Sequence, residues 1–153
     1  MAIPRSLRCA LLVALVLPFV ALPALADLAA WDQGRATGIA KQLADASDAF
    51  EQAVRKEPGM DQVGSGTAEA GFGVVQRSRV LKEQSQTLAG HLEKGKGHDD
   101  TKNEWRGLKE VADDLTEDAQ RSELSEPTLD AWAKVADLMR QLAPYYDAKA
   151  LTP

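Results

Sequence analysis

Apolar and small positions recur along this chain at alternating steps of four and three. Ile39, Leu43, Ala46, Phe50 and Ala53 form one such series. Val74, Ser78, Leu81, Ser85, Leu88 and Leu92 form a second, and Trp105, Leu108, Ala112, Leu115, Ala119 and Ser122 a third. Ala131, Val135, Leu138, Leu142 and Tyr145 form a fourth, widened by Trp132, Met139 and Tyr146. A mean step of about 3.5 residues is the signature of a helix burying one stripe against its neighbours. The pattern therefore predicts four helices: about Asp27 to Glu57, about Thr67 to Lys94, from Asp99 or Thr101 to about Ser122, and about Glu126 to Ala148.

The punctuation fits. Asp27 is a fair N-cap, and Pro58-Gly59 stops the first helix. Glu69 enters the first turn of the second helix, and Gly95-Lys96-Gly97-His98 breaks the chain after it. Ser125-Glu126-Pro127 is a short link with proline in a helix's first turn. Leu28 and Trp31 lie off the register of the first stripe, so a bend is expected there. Ser78 and Ser85 in a buried seam imply close helix approach. No stretch alternates as a strand does, and the tail Leu151-Thr152-Pro153 is expected to fray. Short connections make consecutive helices antiparallel neighbours. The expected fold class is all-α, an antiparallel up-down-up-down four-helix bundle over residues 27–150.

Residues 1–26 read differently, as a cleaved Sec-type signal peptide. Arg5 and Arg8 precede an apolar run from Cys9 to Leu22, and no acid comes before Asp27. Ala24 and Ala26 supply the small side chains a signal peptidase accepts, which places the cut after Ala26. The uninterrupted apolar run is shorter than the roughly 20 residues of a spanning helix. The expected location is periplasmic or secreted, with no membrane association after cleavage.

Removing Arg5 and Arg8 moves the formal charge of the 153-residue chain from −5 to −7 and takes its one cysteine, Cys9, away. An acidic domain is poorly matched to nucleic acid, whose phosphates need basic contacts. A cysteine-free domain excludes thiolate catalysis, zinc–thiolate sites, iron–sulfur clusters and c-type haem attachment.

Several motifs fall short of the chemistry they resemble. Gly90 to Gly97 approaches a phosphate-binding loop, but Gly97 stands where the motif needs Ser or Thr, and the segment closes a helix instead of opening one. His91 and His98 lack the Glu-x-x-His spacing of a bundle metal site, and no metal site is expected. Non-covalent haem needs a Met and a His at one level. Met139 and His91 differ by several ångströms at roughly 1.5 Å per residue, so no cofactor is expected. Leu115-Thr116-Glu117-Asp118-Ala119-Gln120 resembles the Leu-Thr-x-x-Gln signature of cradle-type periplasmic chaperones, but Ala119 stands where the signature needs Gln. Glu110, Asp113, Asp114 and Glu117 share one outward helix face. General acid–base chemistry needs a carboxylate in a dry pocket; nothing in the spacing marks one, and Glu104, near Trp105, is the one to watch.

One feature rises above this background. In an antiparallel bundle the first and third helices start where the second and fourth end. Trp31, His91, Trp105, Tyr145 and Tyr146 fall at that end, with Gly34, Gly38, Gly90 and Gly107. A glycine inside a helix costs up to about 1 kcal/mol relative to alanine. Two arrangements are open: aromatics that plug the bundle end, or a ligand pocket formed by Trp31, Gly34, Gly38, His91, Trp105, Tyr145 and Tyr146, with Arg35 and Arg106 near.

The expected function is that of an exported, non-catalytic bundle with a binding or scaffolding role toward a protein partner. An alternative is a carrier of a small apolar ligand or non-covalent cofactor at the aromatic end. A third reading is a chaperone-like protein. A homodimer through Val75, Val80, Val111 or Tyr146 is also left open.

Overall fold

A computed structural model describes residues 29–58, 66–122 and 124–147. Their regular structure is wholly helical: α1 (Gln33–Arg55), α2 (Gly66–Glu93), α3 (His98–Arg121) and α4 (Glu126–Leu142), followed by a 3-10 turn over Ala143–Tyr145. The signal segment 1–26, the Asp27 cap, the Gly59–Ser65 stretch and the tail 151–153 lie outside the described residues.

The helices sit where the apolar stripes place them, with two corrections at the ends. Residues 29–32 are not helical. Asp32 is extended, and its carboxylate accepts the Arg35 N–H at 2.9 Å. That side chain satisfies one of the unpaired donors of the first turn, so α1 begins at Gln33. At the other end α4 stops at Leu142, before Ala148. Pro144 has no N–H to give the carbonyl one turn back, and the chain tightens into the 3-10 turn.

Leu43, Phe50, Val54, Val74, Leu81, Leu88, Leu108, Leu115, Val135 and Leu142 are fully enclosed. Burying a side chain of this kind contributes about 1.5–3 kcal/mol. The first stripe drifts at its end: Ala53 is half-buried and Val54 takes the inward place. A straight helix of 3.6 residues per turn walks off a 3.5-residue repeat, which accounts for the shift. Ser78 and Ser85 are enclosed as expected, each hydroxyl donating to the carbonyl three residues back at 2.9 Å, on Val75 and Lys82.

Backbones approach closely between α1 and α2, α2 and α3, and α1 and α4. Paired residues run in opposite order along each of these seams. Gln33 at the start of α1 meets Leu92 near the end of α2, and Asp48 further on pairs with Lys82. His91 meets Glu104, and Arg77 meets Asp118. Ala29, ahead of α1, donates to Pro144 O after α4, and Glu57 beyond α1 reaches Ser125 at the start of α4. Two poles result. One gathers residues 29–33, the end of α2, the start of α3 and the 3-10 turn. The other gathers the end of α1 and the start of α4. Among the described residues no helix is long and apolar enough to cross a membrane.

Candidate aromatic site at one pole

Tyr146 is the hub of the first pole. Its ring stacks on Trp105, with centroids 5.3 Å apart and planes 15° from parallel, and on His98 at 5.5 Å and 24°. Trp31 meets these rings edge-on, 5.6 Å from Tyr146, 5.7 Å from His98 and 6.1 Å from Tyr145. Edge-to-face and offset pairs place the positive edge of one ring against the negative face of another.

Three of these rings are mounted by specific polar contacts. The Tyr146 and Thr101 hydroxyls lie 2.8 Å apart, and Thr101 Oγ1 is 2.9 Å from Gly97 O. Trp105 Nε1–H donates to Asp147 Oδ2 at 3.2 Å, and Lys109 Nζ donates to the same oxygen at 3.2 Å. Trp31 Nε1–H donates to Gln33 Oε1 at 3.0 Å. The Gln33 amide nitrogen donates in turn to Leu92 O at 2.8 Å and Lys96 O at 3.1 Å. Gly95, at φ 79°, lets α2 end in the left-handed turn that presents these carbonyls. Burial pushes the Tyr146 phenol above its ordinary range; the Thr101 hydroxyl opposes that, and the Glu104 charge adds to it.

Of the residues the sequence groups here, Trp31, Trp105, Tyr145 and Tyr146 come together in one connected set of rings. His91 sits on the α2–α3 seam, where its Nδ1 is 2.7 Å from Glu104 Oε1. A Cβ on Gly38 would meet open space, and one on Gly34 would only touch Asp32 Oδ1 at 3.5 Å. Gly90 borders an outer cleft of α2 beside His91, and Gly107 borders a cleft of about 620 Å³ between α2 and α3, with Gln84 and Glu104. His98 is the ring that the sequence reading leaves out of this group. It stands seven residues before Trp105, on the same helix face, so spacing alone could have included it. Gln33, Thr101 and Asp147 carry no such signal, because the partners that tie them across the pole, Leu92 and Lys96, Tyr146, and Trp105, are distant in sequence.

On α3, Asp114 pairs with Arg77 at 3.5 Å, while Glu110 and Asp113 face solvent. Among the described residues no group of three or more His, Cys, Asp or Glu side chains could hold a metal ion. No family model, no curated protein and no solved structure matches this chain.

Proposed function

We propose that this protein is exported, loses residues 1–26, and works in the periplasm or outside the cell as a non-catalytic, up-down-up-down four-helix bundle that binds a partner or ligand at its aromatic pole. The observation that carries the binding role is the pole itself: five rings in continuous contact, with Trp31, His98 and Tyr146 only partly buried. Aromatic side chains with one apolar face and one polar edge are the usual anchors of recognition surfaces. The opposite order of paired residues along three helix seams supports the up-down arrangement. The basic, apolar, small-residue order of residues 1–26 supports export.

The test is purification of the tagged protein from its native compartment, with mass spectrometry of the intact chain and of whatever travels with it. A chain beginning at Asp27, with one stoichiometric partner or ligand lost on Tyr146→Ala substitution, is expected. A chain still carrying residues 1–26 removes the export reading. Co-purification unaffected by Tyr146→Ala removes the aromatic pole from the binding role.

A further inference from the structure

We propose that the aromatic pole is a receptor for a planar heteroaromatic ring bearing an N–H, and that the chain fills this receptor with its own Trp31. The inference rests on the reading of this pole as the binding end, and it adds the ligand class and the gate.

The rings are mounted unequally. Trp105 and His98 belong to α3, and Tyr145 and Tyr146 to the 3-10 turn and its exit. Thr101 and Asp147 hold Tyr146 and Trp105 from the side. Trp31 instead stands on Ala29–Asp32, ahead of α1; Asp32 caps α1 and accepts the Ala36 N–H, and among the described residues one backbone hydrogen bond, Ala29 N–H to Pro144 O at 2.8 Å, reaches from this strap across to the chain after α4. The Trp31 ring meets Tyr145, Tyr146 and His98 in near-perpendicular, edge-to-face pairs. Another flat ring can replace such contacts one for one.

The polar contact of Trp31 fixes the ligand chemistry. Its indole N–H is received by Gln33 Oε1 at 3.0 Å. Gln33 is part of α1, not of the strap, and its amide nitrogen is already bound to Leu92 O and Lys96 O. Those two bonds settle which end of the amide faces the rings. When the strap lifts, Gln33 Oε1 stays at the start of α1 as an acceptor beside the pole. A ligand ring with an N–H satisfies it; a ring of the same shape without one leaves it unpaired, and this difference is the basis of discrimination.

The experiment titrates indole, and its N–H-free analogue indene, into the full mature chain and its Trp31→Ala variant, followed by two-dimensional NMR of the Trp105 and Gln33 side-chain N–H signals. Indole is expected to bind the variant saturably, at least tenfold more tightly than it binds the wild type, and more tightly than indene does. Hydrogen exchange on the wild type keeps the proposal testable if Trp31→Ala fails to fold. The Ala29 amide is expected to exchange at least tenfold faster than that of Leu43, and faster still with indole, with Leu43 unchanged. A folded variant that ignores indole, a wild type that binds it equally well, or an Ala29 amide protected like Leu43 overturns the proposal. A native ligand or partner without an aromatic N–H, found by the purification above, also overturns it while leaving the binding role intact.

Discussion

Glu57 ties the second pole together. Its carboxylate receives the Ser125 N–H, the Ser125 hydroxyl at 2.7 Å and the Thr128 hydroxyl at 2.8 Å, while the residue itself is only 7% exposed. It thus does for α4 what a capping side chain does within one helix, from 68 to 71 residues away. Burial alone pushes the carboxyl up, but the three donors outweigh it and hold Glu57 below its ordinary range. A carboxyl depressed in the folded state stabilises fully above the ordinary glutamate range and loses that stabilisation as pH falls through the folded value. Glu57→Ala is expected to lower unfolding free energy at pH 7 by about 1–3 kcal/mol. Denaturant titrations at several pH values should show the gap to wild type narrowing below about pH 4. The glycines allow a paired test at the same scale. Gly38→Ala meets open space and is expected to stabilise by about 0.5–1 kcal/mol through helix propensity. In Gly73→Ala the new methyl collides with the Asp118 carboxylate and the Arg77 guanidinium, so breaking that pair should cancel the gain. Thermal melts of the two variants shifting equally would contradict this. None of the Glu57 network was legible in the sequence, because a capping partner that distant leaves no local pattern.

At the scale of elements, the seams were legible and the ends were not. The serine-bearing stripe of α2 is buried at every position the spacing selects, from Val74 to Leu92. Periodicity reports a face directly, since packing requires a continuous apolar row. Helix ends answer to single residues instead: Asp32 delays α1, and Pro144 shortens α4. Both ends feed the aromatic pole, so the part of the site that depends on them, the Trp31 strap and the Tyr145–Tyr146 turn, was only partly readable. Two predictions belong here. Ser85→Leu forces a bulky side chain into a seam where the hydroxyl is fully enclosed, and about 1–3 kcal/mol of destabilisation is expected by chemical denaturation. Gly95→Ala places a β-carbon at φ 79° and is expected to cost about 1 kcal/mol, with raised hydrogen exchange confined to the α2–α3 turn.

For the whole molecule, stability rests on an apolar interior shared by four helices, with ion pairs such as Lys41–Glu93 at 2.7 Å bracing the outside. Exposed pairs of that kind contribute little, so the interior decides whether the chain folds. Cys9 is the one cysteine of the sequence, so residues 27–153 carry no thiol to cross-link. Residues 27–153 are therefore expected to fold unaided, and the two poles differ in kind: one latched by a buried carboxylate, the other closed by an aromatic strap ahead of α1. Native-state hydrogen exchange, on mature protein refolded from denaturant with chelator and reductant present, tests this most directly. The slowest amides should fall together in α1 through α4, around Leu43, Leu81, Leu108 and Leu138, with Ala29 exchanging early. A chain that shows no protected core until a metal, pigment or partner is supplied would contradict the account.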